Sequence, residues 1–360
     1  MSLRTILAVT VVAAVGVAFP AAQQRSSKTL DIYVVDVEGG NATLFVPPSG
    51  ESVLIDTGNG GAAASRDADR IMAAVKDAGI SRIDHLITTH WHGDHFGGMP
   101  ELAGRLPIRQ FVDHGANVQP AAAADDFLQK VYPTLYQKGT HTVAKPGDTI
   151  AVNGLDWRIV TSAGQAIKTS LPGGGKANPY CASYKPQDPD PTENAQSVGS
   201  IVTFGRFRVA HLGDLTWNKE FELMCPRNPL GEVDLYLVSH HGSDTSGSAA
   251  LVHALRPRAA IMNNGPRKGG AIQTFQIVSG LPGSVDLWQN HYSVPGGQHN
   301  RPEMFIANLD EGAPLPGAKP GAAPVHTGTA HWIKVSARAD GSFTISNSRT
   351  AFAKEYPRRQ

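Results

Sequence analysis

Three histidines and an aspartate fall in one short run, His90-Trp91-His92-Gly93-Asp94-His95, directly after the apolar stretch 83–87 and directly before Gly97-Gly98. Neutral imidazole nitrogens suit borderline divalent ions such as zinc, and a carboxylate adds a harder donor that partly neutralises a dication. A strand ending near Thr88 delivers this run onto a loop, where the chain can fold back and aim several side chains at one centre. One continuous helix does not converge all four. Donors packed this closely imply more than one ion. The alternative is a histidine-rich surface tract of low complexity, and the apolar strand and glycines that bound the run argue against it.

Two distant segments carry the same signal. Val53-Leu54-Ile55 runs into Asp56-Thr57-Gly58, and Val209-Ala210-His211-Leu212 runs into Gly213-Asp214. Later, the apolar stretch 233–238 leads into Ser239-His240-His241-Gly242-Ser243. With these in place the chain resembles the metallo-β-lactamase superfamily, and the Ser-His-His-Gly-Ser motif is similar to the extracellular hydrolase domain of the competence protein ComEC and its free-standing secreted relatives. The resemblance spans residues 30–265. It implies an αββα sandwich of two mixed β-sheets flanked by helices, and it implies two divalent metal ions, with zinc expected.

By the same resemblance, His90 and His92 hold the first ion, Asp94, His95 and His240 hold the second, and Asp214 bridges them. Asp56 supports the ligand loop from behind. The family's further histidine, one strand before the bridging aspartate, has no counterpart, because the matching segment reads Glu193-Asn194-Ala195-Gln196-Ser197. Asn194 offers an amide oxygen as a weak ligand, or a donor to substrate. His114 is the other source of a nitrogen. With neither, the first ion keeps an open position, which is the mark of a catalytic site.

Side chains that leave a strand alternate in direction, so His240 and His241 are not expected to point the same way. His240 is favoured as the ligand. His241 then faces substrate as an acid or oxyanion donor beside Ser243, or steadies a ligand, or packs on a backbone partner. Asp94 and His241 are the catalytic candidates. A pair of bound cations lowers the pKa of water to about 7, so that a bridging hydroxide becomes the nucleophile. The expected function is a metal-dependent phosphodiesterase, nuclease-like, with a small-molecule or phosphodiester substrate. One alternative is hydrolysis of a carbonyl substrate such as a lactone, β-lactam or thioester. The other is a non-catalytic extracellular metal-binding protein on the same fold.

Residues 1–22 read as a secretory signal peptide: Arg4, an apolar run over 6–19, then small residues for cleavage. The run falls short of the roughly 20 residues that span a bilayer, so no membrane span is expected after cleavage. The expected location is periplasmic or extracellular. Cys181 and Cys225 are then either one disulfide, which an oxidising compartment favours, or two free buried thiols.

A formal net charge of +1 with 18% charged residues gives no support to nucleic-acid binding, although it does not forbid it. Arg256, Arg258, Arg267 and Lys268 form the nearest basic group and read as a solvated face. Nothing in the sequence points to a protein partner.

Residues 23–360 read as one domain. Strands are expected at 32–37, 53–55, 83–87, 201–204, 207–212, 233–238 and 259–262. Helices are expected at 65–78, with Ser65 as cap and Gly79 as stop, and at 100–106, 122–136 and 251–255. Residues 163–197 form a long loop bordering the cleft, 310–328 a Pro/Gly-rich connection, and 330–347 a hairpin at a sheet edge. His291 and His299 flank a glycine-rich turn.

Overall fold

A computed structural model gives the fold and describes residues 28–283, 285–309 and 329–359. The signal segment at 1–22 and the connection at 310–328 lie outside the described residues. The chain opens with β1 (Leu30–Val34), β2 (Thr43–Val46), β3 (Val53–Ile55), α1 (Ala64–Ala78), β4 (Ile83–Ile87), α2 (Gly93–Phe96), α3 (Met99–Arg105), β5 (Ile108–Asp113), α4 (Ala122–Asp126), α5 (Tyr132–Tyr136) and β6 (Thr140–Val143). It continues with β7 (Thr149–Ile150), β8 (Asp156–Ser162), the short pairs β9 (Gln165–Ala166) and β10 (Lys176–Ala177), β11 (Gly199–Phe204), β12 (Phe207–His211), α6 (Trp217–Met224) and β13 (Arg227–Asn228). Last come β14 (Leu235–Leu237), α7 (Ala249–Leu255), β15 (Ala259–Met262), α8 (Ile272–Ser279), β16 (Asp286–His291), β17 (Ile306–Asn308), β18 (Ile333–Ala337), β19 (Phe343–Asn347) and β20 (Ala353–Tyr356).

The strands form two large mixed sheets, ordered β20-β19-β18-β1-β2-β3-β4-β5-β6 and β17-β16-β15-β14-β12-β11-β8-β7, with β9 beside β8, and a small separate pair, β10-β13. Each sheet is antiparallel where hairpins join neighbours and parallel where helices cross over, as at β3 to β5 and β12 to β17. Strand alternation supplies two apolar faces per sheet. The inner faces meet in a core that includes Phe45, Trp157, Phe207, Trp288 and Phe343. The first sheet's outer face is covered by Ile71, Met99 and Leu102 of α1 and α3 and by Phe127 and Tyr132. Leu223, Leu251 and Phe275 of α6 to α8 cover the other. The layering is the expected αββα sandwich.

Local departures have local causes. The first long helix begins at Ala64, one residue before the expected start, and Ser65 makes no cap. Its end is as expected, with Gly79 left-handed and donating back to Lys76 and Val75. The 122–136 helix is broken by a π-turn over Phe127–Val131, just before Pro133, whose ring cannot continue an α-helical ladder. The terminal strand pair lies beside β1, with Ile333 opposite Val34 and Ala337 opposite Leu30. Cys181 and Cys225 are joined in a disulfide that ties the 163–197 segment to the end of α6.

Candidate metal centre

The histidine run follows β4 and divides its side chains by geometry. Trp91 turns into the helix-covered core, where it is buried against Phe96, Phe127 and Tyr132 and donates to the Gly115 carbonyl at 2.8 Å. The residues on either side of it therefore face the opposite way, and His90 Nε2 and His92 Nδ1 meet at 3.0 Å. One helical turn, α2, then carries Asp94 and His95 back to the same centre. The expected loop is thus an extended step followed by a turn of helix.

From the other sheet, Asp214 follows β12 and the His240-His241 pair follows β14. Asp94, His95, Asp214 and His241 each offer a donor atom within 4.8 Å of all the others. His95 Nε2 lies 3.2 Å from Asp214 Oδ2 and 3.3 Å from Asp94 Oδ2, and His241 Nε2 lies 3.3 and 3.2 Å from the same two oxygens. The second group shares Asp214: its Oδ2 stands 3.9 Å from His90 Nε2 and 3.6 Å from His240 Nε2.

The structure therefore exchanges the two histidines of the Ser-His-His-Gly-Ser motif. His241, expected toward substrate, stands with Asp94 and His95, whereas His240 stands on the His90 side. The alternation argument fails because the strand has already ended at Leu237. Both residues adopt left-handed backbone angles, φ 53° and 55°, in a short 3-10 turn. Ser243 Oγ lies 3.1 Å from Thr245 Oγ1, which in turn contacts His240 Nδ1 at 3.1 Å, so Ser243 reaches the site through Thr245.

Asn194 and His114 separate clearly. Asn194 Nδ2 is 3.5 Å from His240 Nε2, and its buried Oδ1 has no hydrogen-bond partner. His114 does not reach the centre, because Glu193 binds its Nε2 at 2.7 Å. Glu193, unremarked in the sequence, is buried and also accepts from the Trp91 and Val118 amides at 3.0 and 2.6 Å. It pins the histidine loop to the 163–197 segment.

Behind the donors lies a buried polar layer. Asp56 Oδ1 accepts from the Thr89 amide at 2.7 Å, and its Oδ2 contacts Thr89 Oγ1 at 2.8 Å, Asn41 Nδ2 at 2.8 Å and His95 Nδ1 at 2.7 Å. Gln119 Oε1 holds His92 Nε2 at 2.9 Å. Such partners orient an imidazole so that its other nitrogen faces the centre. Asn41 and Gln119 were not singled out in the sequence. The signal for Asn41 was a polar Gly39-Gly40-Asn41 step between two apolar strands; for Gln119 there was none.

The potential at the centre suits cations. Burial would raise Asp94 and Asp214, yet the neighbouring imidazoles, His95 foremost, hold both carboxyls well below the usual carboxylate range. Against its own burial, His95 is raised well above its ordinary value by Asp214, Asp94 and Asp56. Burial, then His95, lowers His90, leaving it the neutral imidazole that ligation requires. The donor chemistry, the convergence from both sheets and the unpartnered Asn194 Oδ1 all fit a pair of divalent ions.

A second buried group, Asp36, Glu38 and His291, also gathers donors. Here Arg70 Nη1 lies 2.9 and 3.0 Å from the two carboxylates, so a guanidinium and an imidazolium already balance them. His291, expected beside a surface turn, ends β16 and is fully buried. Burial opposes its charge, but Asp36 and Glu38 raise its pKa to about 9. That contribution to stability is complete below pH 6.5 and is lost as pH rises through about 9. Unfolding free energy should fall by on the order of 3 kcal/mol over that window. Denaturant titrations at the two ends test this, and a His291→Gln variant that keeps the full pH slope would refute it.

Fold and site together are those of a metallo-β-lactamase fold that carries a candidate metal centre. The family model described as the metallo-beta-lactamase superfamily matches residues 35–166, which bears out the resemblance read from the motifs. Recombination protein 2 of Haemophilus influenzae is 26% identical over 243 residues, covering 68% of this chain and 25% of that protein. An atrochrysone carboxyl ACP thioesterase of Aspergillus terreus is 38% identical over 68 residues, covering 19% of this chain and 20% of that protein. The chain thus spans a quarter or less of the length of these two relatives. Among solved structures, a motif mutant of a metallo-beta-lactamase from Cronobacter sakazakii matches at 15% identity with a TM-score of 0.36, over 58% of this chain and 76% of that one. Among the described residues no helix is long and apolar enough to cross a membrane.

Proposed function

We propose that this chain is a secreted phosphodiesterase that holds two zinc ions, the first through His90, His92 and His240 and the second through Asp94, His95 and His241, with Asp214 common to both. One observation carries the reading: a single oxygen, Asp214 Oδ2, lies within 3.9 Å of imidazole nitrogens from both groups. Bound there, such ions would activate water at neutral pH and offset charge on the attacked centre. The protein's own residues do the rest. Asp56 and Gln119 fix the ring orientations of His95 and His92. Trp91 and its aromatic neighbours exclude water from behind the histidine loop. Asn194, standing where relatives are expected to carry a histidine, presents an amide beside His240.

The disulfide and the leader-like first 22 residues support action outside the cytoplasm. The match to a thioesterase segment favours thioesters as the second reading. Hydrolysis of bis(p-nitrophenyl) phosphate, nitrocefin and an acyl thioester by metal-loaded protein separates the two. The phosphodiester should be cleaved fastest, activity should vanish in chelator, and zinc should restore it. Preference for the thioester would transfer the assignment. Two bound ions with no turnover of any of the three would make this a metal-binding protein.

A further inference from the structure

Lys268, which the sequence places on a solvated face, instead stands at the rim of the metal centre. Its ammonium contacts Asp94 Oδ2, the same oxygen that lies 3.2 Å from His241 Nε2, and half of its side chain remains exposed. Two members of the same basic group do not share this position: Arg256 pairs with Glu232 and Arg258 with Asp234.

The segment that carries Lys268, residues 264–270 between β15 and α8, is clamped on two sides. The Gly270 amide donates to the His241 carbonyl at 2.9 Å and Ala271 to that of Gly242 at 2.8 Å. At Gly269, φ +76°, an added Cβ would fall 2.0 Å from the His241 carbonyl oxygen, so only glycine allows this approach. Within the segment the Gly265 amide donates to the Lys268 carbonyl at 2.9 Å. Opposite, the stem of Lys268 lies so close to Gly39 that a Cβ there would come within 2.8 Å of its own Cβ. Two turns of the site thus fix the base of a side chain whose charged end faces solvent over the donors.

Stability does not account for this placement, since a half-exposed ion pair contributes little. Affinity for cations does not account for it either, because an ammonium against a donor carboxylate competes with a dication for that oxygen. An anionic ligand group resolves both objections, since its oxygen would sit between the ammonium and the centre and be attracted by each. We propose that Lys268 recognises a negatively charged oxygen of the substrate, so that this site selects anionic groups, a phosphoryl group foremost, over neutral esters. The inference rests on the phosphodiesterase reading for its choice of anion. Lys268 is a binding residue here, and it transfers no proton.

The test compares metal-loaded wild type with Lys268→Met, which keeps the stem, and Lys268→Arg, which keeps the charge. Calorimetric titration with inorganic phosphate should show affinity at least tenfold weaker in Lys268→Met and largely recovered in Lys268→Arg. The KM for bis(p-nitrophenyl) phosphate should rise more than kcat falls. The ratio of phosphodiester to p-nitrophenyl acetate hydrolysis should drop at least tenfold, with zinc content per chain unchanged. Phosphate affinity within twofold of wild type, no phosphate binding by the wild type, equal losses on both esters, or loss of zinc in Lys268→Met would each overturn the proposal. If the protein cleaves no phosphodiester, that reading falls by itself, and the phosphate titration still decides the role of Lys268.

Discussion

Replacing Asp214 with alanine should remove both proposed metal ions and lower the proposed phosphodiester hydrolysis by about three orders of magnitude, equivalent to about 4 kcal/mol of transition-state stabilisation. The size follows from its position. Four imidazoles, those of His90, His95, His240 and His241, come within 3.9 Å of one carboxylate oxygen, and they arrive from both sheets. With that oxygen gone, the His90 group loses its carboxylate, the Asp94 group keeps one of its two, and nothing links the two halves of the centre. The backbone at Asp214 is held independently, its amide donating to Ser197 Oγ at 3.1 Å, so the loop should keep its shape in the variant. Mass-spectrometric metal analysis beside hydrolysis rates makes the measurement. His241→Ala is the comparison, because it removes a donor from one group and should leave about one ion per chain. Two ions retained in Asp214→Ala would show that the carboxylate is not shared.

The sequence revealed the chemistry of this site better than its directions. Asp56 directly follows β3, His90 and His92 lie on an extended step after β4, and Asp94 and His95 on the helical turn that follows it, where an apolar run followed by closely spaced donors reveals the location. His240 and His241 lie three and four residues beyond the end of β14, in left-handed conformations that no periodicity encodes, so their assignment was reversed. Glu193 and Gln119 were passed over, and Lys268 was read as part of a solvated face, because each gains meaning only from a partner brought to it by folding. Glu193 meets Trp91 across 102 residues, and Lys268 meets Asp94 across 174. The same reason applies at the level of the fold. Alternation at 333–337 identifies a strand, but its pairing with β1, at the other end of the described chain, depends on how both sheets close around the common core.

Asp56→Ala should be the most destabilising change at the centre among residues that are not themselves proposed metal ligands. The carboxylate is fully buried and takes contacts from Thr89 N, Thr89 Oγ1, Asn41 Nδ2 and His95 Nδ1, all between 2.7 and 2.8 Å. Alanine leaves these buried groups without their acceptor, and each unsatisfied group costs about 1–3 kcal/mol, so a loss on the order of 4 kcal/mol is expected after local relaxation. The backbone adds to it. Asp56 sits at φ 61°, a left-handed conformation that aspartate and asparagine tolerate better than alanine. Asp56→Asn therefore separates the two effects: it keeps the conformation and most of the volume but removes the charge that steadies His95. It should retain more of the fold than alanine while binding metal about 10- to 100-fold more weakly, the usual cost of losing a partner that orients a ligand. Unfolding must be followed in chelator, because bound ions stabilise the native state by mass action and would hide the difference. If Asp56→Ala unfolds within about 1 kcal/mol of wild type under those conditions, the buried layer is not what holds the ligand loop, since an unpaired cluster of this kind cannot be that inexpensive.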